Sequence, residues 1–179
     1  MHTGDLIENP RTGQRLVVRQ LGDRTSPLLL EAVDPPGCPR SPRHVHPNQE
    51  ESFEVLSGQL SVDLNGTLRR LSPGESITIP RGVPHAAWNA GAEPMRMLWE
   101  SRPGLRTAEF FDGLYGLARR KHTQSAAAHL AHTIRLMRDF APEVHVTWPP
   151  LPIQSLLFQT LAGAERFIPS LRLSTTRTH

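Results

Sequence analysis

The chain has 179 residues, 37% of them hydrophobic and 21% charged, which is near the length of one domain and enough apolar content for a core. No run of about eighteen apolar residues occurs, so a membrane-spanning helix is not expected. The formal charge is only +3, Lys121 is the sole lysine among 20 basic residues, and these are scattered along the chain, which argues against a nucleic-acid surface.

In chain order, the polar start Met1 to Asp5 carries no apolar leader stretch. The alternating runs Gln14 to Arg19 and Leu28 to Val33 read as opening strands, ended by the turn cluster Asp34-Pro35-Pro36-Gly37. Cys38, the only cysteine, excludes an internal disulfide and fits a cytoplasmic location. His44-Val45-His46 follows, then a bend over 47–50 and the strand-like run Glu51 to Leu56. Gln59 to Leu64 and Thr67 to Leu71 are joined by Asn65-Gly66, a pair that tolerates positive φ and marks a hairpin. Ser76 to Ile79, His85 to Asn89 and Met95 to Ser101 complete the strands. Many short strands with Gly or Pro turns predict a mainly β sandwich or closed barrel.

The pattern changes after Arg102-Pro103-Gly104. Thr107 caps a predicted helix over 108–120, with Phe110, Phe111, Leu114 and Leu117 as its apolar stripe. Ser125 to Phe140 is a second helix, stopped by Pro142. Val144 to Trp148 is a short segment, Pro149 to Pro152 reads as extended, and Ile153 to Phe167 is a third helix. The final residues 174–179 read as a frayed end. His129 and His132 lie one helical turn apart without a third ligand nearby, so they are not read as a metal site.

The chemistry concentrates in His44, His46, Glu51 and His85. On a strand, residues two apart share a face, so His44 and His46 aim two imidazoles into one space. Glu51 opens the next strand and His85 follows the turn 80–84. Glu50 could also reach, but the alternation Glu51, Phe53, Val55 favours Glu51 as the inward residue. Three imidazoles and one carboxylate suit one divalent transition metal, iron, manganese, nickel, copper or zinc, better than calcium or magnesium. Phe53, Val55, Ile77, Ile79, Met97 and Trp99 are the expected apolar wall of a pocket beside it.

Around these residues the chain resembles the cupin superfamily. From Gly37 to Gly58 it is similar to the first cupin motif, with six residues rather than the usual five between Gly37 and His44. From Gly74 to Asn89, through Pro80-Arg81-Gly82 and His85, it matches the second motif. The likeness covers about residues 12 to 101, and the whole chain resembles bacterial single-domain, quercetinase-like cupins with C-terminal helices. It implies a jelly-roll β-barrel over 1–103 and an α-helical extension over 104–179, packed on the barrel or across a homodimer. It also implies a small-molecule ligand, with no nucleic-acid or membrane partner. Cupins include dioxygenases such as quercetinases, isomerases, decarboxylases and lyases. The resulting expectation is a metal-dependent, oxygenase-like enzyme acting on a small aromatic or dicarbonyl compound, with Glu51 as both ligand and catalytic group. The alternatives are a non-catalytic ligand- or metal-binding module and a metal-assisted isomerase.

Overall fold

Alternation in sequence becomes a two-sheet barrel in the computed structural model, which describes residues 1–120 and 123–167. Among these residues no helix is long and apolar enough to cross a membrane. One sheet has six strands. In spatial order they are β1 (Leu6–Glu8), β2 (Arg15–Gln20), β3 (Leu28–Asp34), β10 (Met95–Arg102), β5 (Glu50–Ser57) and β8 (Ser76–Ile79). The other has five: β11 (His145–Val146), β4 (His44–Val45), β9 (His85–Asn89), β6 (Leu60–Leu64) and β7 (Thr67–Leu71). Every strand pair is antiparallel.

The period of two decides what lies between the sheets. β3 buries Leu28, Leu30, Ala32 and Asp34 and turns its alternate residues outward. β10 buries Met95, Met97, Trp99 and Ser101, and β5 buries Glu51, Phe53 and Val55. The register sets Phe53 opposite Trp99 on one side and Ile77 on the other. Asn65 and Gly66 take φ of 48° and 89°, the two positive values a tight hairpin between β6 and β7 needs. Gly58 closes the β5–β6 turn at φ 77°, where an added Cβ would come within 2.8 Å of Met95 Cα.

Three helices follow: α1 (Thr107–Arg120), α2 (Ala126–Asp139) and α3 (Leu151–Phe167). Ser125 caps α2, its Oγ accepting from Ala128 N at 3.2 Å. Ala108 and Tyr115 of α1 enter the main barrel core, while Phe110 packs with Phe140 and Val144 in a smaller cluster. Helix α1 thus covers the barrel of its own chain.

Three local readings change. The segment over 144–148 supplies β11, which pairs with β4 (His145 with Val45, Val146 with His44) and so extends the second sheet. The proline-rich run expected to be extended instead leads into α3, with Leu151 and Pro152 in its first turn, because Pro150 O accepts from Ile153 N and Gln154 N at 2.9 and 3.1 Å and proline fits a helix start. The short β1 was not anticipated. The frayed end expected over 174–179 lies outside the described residues.

Candidate metal centre

Strand pairing carries the donors to one point. His44 on β4 sits directly opposite His85 on β9, and their ring centroids are 4.3 Å apart. His46, just past β4, lies 5.0 Å from His44 and 5.4 Å from His85, centroid to centroid. Glu51 approaches from the other sheet. One donor atom from each of the four residues falls within 4.8 Å of the rest. Glu51 is 1% exposed, His85 1% and His46 6%. Glu50, the rival carboxylate, is exposed on the outer face of β5.

Each imidazole is oriented by a backbone carbonyl. His44 Nδ1 lies 2.8 Å from Pro42 O, His46 Nδ1 2.6 Å from Glu143 O, and His85 Nδ1 2.9 Å from Val83 O. A carbonyl only accepts, so each Nδ1 carries the hydrogen and each neutral ring presents an Nε2 lone pair. Two of those nitrogens, of His46 and His85, face Glu51. His85 Nε2 is 3.0 Å from Glu51 Oε2, and His46 Nε2 is 3.1 Å from Oε1 without hydrogen-bond geometry. Neutral lone pairs facing a carboxylate at this distance repel. A cation among them, either protons on the rings or a metal ion, removes the conflict. The orphaned His46 Nε2, the Nδ1–H tautomer shared by the three rings and the N₃O donor set all fit a divalent transition metal.

The charges respond to burial and to one another. Burial pushes His44 down to about 4, helped by the neighbouring His85. Burial alone would lower His46, but the Glu51 carboxylate overrides it and the net direction is upward. Burial alone would raise Glu51, and the adjacent imidazoles hold it well below the usual carboxylate range instead.

Three residues outside the expected set support the cluster. Trp99 Nε1 donates to Glu51 Oε1 at 2.9 Å, which makes it a partner of the carboxylate as well as a wall residue. Gln49, fully buried, donates to Pro103 O at 2.8 Å, Gly104 O at 3.0 Å and Thr107 Oγ1 at 2.7 Å, tying the bend before Glu51 to the start of α1. Glu143 supplies the carbonyl that orients His46 and lies 97 positions away. Only the inward position of Trp99 could be read from the strand pattern.

The cluster opens on a cavity of about 290 Å³. Phe53, Met97 and Trp99 line it as expected; Val55, Ile77 and Ile79 do not. Val55 and Ile79 belong to the packed core, and Ile77 packs against it. Ile77 and Ile79 sit on β8, the sheet edge two strands away from β10, and Val55 lies further along β5 from Glu51. Alternation correctly puts them on the inner face, but the cavity follows the start of β5 and the middle of β10. The rest of the wall includes the loop from Cys38 to Pro42, Phe110, Phe111, Leu114 and Tyr115 of α1, Met137 of α2, and Val146 of β11.

A sequence model described as the cupin domain matches residues 30–100. Protein SchB of Streptomyces halstedii is 31% identical over 102 residues, 55% of this chain and 73% of SchB. Polyketide synthase CurC of Streptomyces cyaneus is 35% identical over 79 residues, 44% of this chain and 51% of CurC. Oxalate oxidase 1 of Hordeum vulgare is 32% identical over 78 residues, 39% of each protein. The matched part of this chain thus spans about half or less of the last two relatives.

Proposed function

The chain belongs to the cupin superfamily, and from that premise we propose that it is a metal-dependent, oxygenase-like enzyme acting on a small aromatic or dicarbonyl compound. The observation that carries the reading is the buried cluster of His44, His46, Glu51 and His85 at the wall of an otherwise largely apolar cavity. Those four residues would hold one divalent transition metal. The chemistry supplied by such an ion is polarisation of a carbonyl or enolate oxygen and, for redox-active metals, reaction with oxygen.

The residues define the remaining roles. The three histidines, with Nδ1 committed to backbone carbonyls, keep Nε2 for coordination. Glu51 is a ligand whose carboxylate also accepts a proton from an acidic C–H or O–H of the substrate, and Trp99 fixes its orientation. Phe53, Met97, Trp99, Phe110 and Phe111 exclude water and favour a flat, apolar substrate body. The names of two relatives, a polyketide synthase and an oxalate oxidase, support a carbonyl-rich substrate and an oxidative outcome.

The test is oxygen uptake by iron(II)-, manganese- or nickel-loaded protein over a panel of flavonols and 1,3-diketones. Uptake with at least one metal and one substrate class is expected, and Glu51→Gln abolishes it while ligand binding remains. Turnover without uptake points instead to a metal-assisted isomerase. No turnover under any condition points to a binding module. A homodimer would cover the exposed Leu151, Ile153, Leu156 and Leu157 of α3 together with Trp148, which is 80% exposed. Light scattering should then give twice the chain mass for wild type and the monomer mass for Leu156→Glu.

A further inference from the structure

Glu143 lies in the turn between α2 and β11, lines the cavity and is 4% exposed. Its backbone N–H donates to Phe140 O at 3.0 Å, and its carbonyl accepts from His46 Nδ1 at 2.6 Å. Its Oε1 accepts from Arg106 N, just ahead of α1, at 3.3 Å. Bonds to three separate segments therefore hold the residue in place.

One polar atom is left over. Among the described residues, Glu143 Oε2 is buried without a hydrogen-bond partner, and no basic side chain pairs with the carboxyl group. Arg106 gives Glu143 only its backbone N–H. Its guanidinium pairs with Glu109 at 3.1 Å and stacks 4.4 Å from the centre of the Phe140 ring. A buried carboxylate with an open oxygen and no cation is unfavourable, and a ligand in the cavity can offset that cost.

The wall of the cavity indicates which kind of ligand suits that oxygen. It holds three carboxyl groups, of Asp34, Glu51 and Glu143, and a single guanidinium, of Arg40. Arg40 is committed elsewhere: it pairs with Asp63 and lies 4.8 Å from the centre of the Trp88 ring. Asp34 accepts from Gln14 Nε2 and Glu51 from Trp99 Nε1, whereas Glu143, among the described residues, accepts from no side chain. Phe110 lines the cavity and packs with Val144, the residue next to Glu143, so an aromatic ring shares this part of the wall. A carboxylate and an aromatic ring together suit an organic ammonium better than a neutral hydroxyl, because the ammonium brings both N–H donors and positive charge. The metal centre is near. One imidazole, that of His46, separates the Glu143 carbonyl at its Nδ1 from Glu51, 3.1 Å from its Nε2.

We infer that Glu143 is a specificity-determining residue whose Oε2 accepts a hydrogen bond from an ammonium group on the ligand, close to the metal centre. The inference rests on the function proposed above and narrows its substrate class. It selects a small aromatic or dicarbonyl compound that carries a protonated aliphatic amine on a short arm. Glu143 recognises the amine and takes no part in bond making or breaking.

Calorimetric titration of zinc-loaded protein with substituted catechols tests it, zinc being redox-inert. Each probe offers two vicinal oxygens to the metal. Its side arm of one to four carbons ends in an ammonium or, in the matching control, a methyl group. Wild type should bind one ammonium probe, with an arm of three carbons or fewer, at least about tenfold more tightly than its control, the discrimination typical of a hydrogen bond to a charged acceptor. Glu143→Gln keeps an oxygen for Arg106 N but sets an amide nitrogen in place of Oε2. It should bring the ratio to about one or below, while zinc content matches wild type and the methyl probe stays within about threefold of its wild-type affinity. Glu143→Asp draws the carboxylate back by one carbon and should favour the next longer arm; it is the deciding variant if Glu143→Gln does not fold. Ratios of about one at every arm length in wild type, an unchanged preference in both variants, or no binding of any probe overturns the inference. The two readings fail separately. The expected ratios without any oxygen uptake on the flavonol and diketone panel sink the oxygenase and leave Glu143 in place, whereas uptake with ratios of about one sinks the role of Glu143 alone.

Discussion

The barrel and the segments around it contribute differently to the site. Residues 30–100 supply all four clustered donors and Trp99, which orients Glu51. The cavity beside them is walled in large part from outside that span, by Gln14 before it and by α1, α2 and β11 after it. The donor cluster therefore lies wholly within the matched barrel span, whereas the cavity wall is shared between that span and the segments before and after it. The two parts meet through packing of Ala108 and Tyr115 in the barrel core and through polar contacts that include the Gln49 bonds to the start of α1, the Asn48 bond to Pro142 O, the Glu143 carbonyl on His46 and the β4–β11 pairing.

The comparison can be broken most sharply at the centre. His85→Ala removes a fully buried donor and should reduce metal from about one ion per chain to below about 0.1, measured by elemental analysis of protein purified without chelators. Trp99→Phe keeps the ring but strips the donor from Glu51 Oε1. Metal affinity, read by competition with a chromogenic chelator, should fall about 10- to 100-fold. Leu114→Trp on α1 should do the reverse, leaving metal content at the wild-type value while weakening binding of a substrate from the flavonol and 1,3-diketone panel about tenfold by calorimetric titration. If Leu114→Trp also loses metal, the division between centre and wall is wrong.

Acid sensitivity of the metal-free protein sharpens the picture further. Burial holds folded His44 at about 4, so between pH 5 and 6.5 the unfolded chain takes up a proton that the folded chain refuses. Stability therefore rises with pH across this window, by about 1 to 2 kcal/mol. His46, raised in the folded state, acts oppositely and withdraws its contribution only as pH climbs above about 6.5. Urea midpoints at pH 5.0, 5.75 and 6.5 should show the slope in wild type and a flatter line in His44→Gln. The smallest expected effect is at the junction. Asn48→Ala removes the bond from Asn48 Nδ2 to Pro142 O and should lower stability by about 1 kcal/mol and speed metal release a few-fold in a stopped-flow chelator chase.

What sequence disclosed follows the same division. His44, His46, Glu51 and His85 were legible because a period of two and short turns are local properties, and they assign each residue to a face. A face is not a position along the barrel or across the sheet, which is why Val55, Ile77 and Ile79 share the inner surface yet lie outside the cavity. Gln14 with Asp34, Gln49 with Gly104 and His46 with Glu143 meet across 20, 55 and 97 positions. Bonds of that span leave no periodic trace, and a single sequence offers nothing that pairs them. The segment over 144–148 was too short to reveal that it pairs with β4.

That pairing also imposes an order on biosynthesis. Val45 waits for His145, one hundred residues later, or about 5 to 20 seconds at ordinary translation speeds. Once His85 has been made, the nascent polypeptide carries all four clustered donors, but the strand bearing His44 still has an open flank and His46 lacks its carbonyl. The donor cluster therefore reaches its final geometry only when the segment around Glu143 and His145 docks.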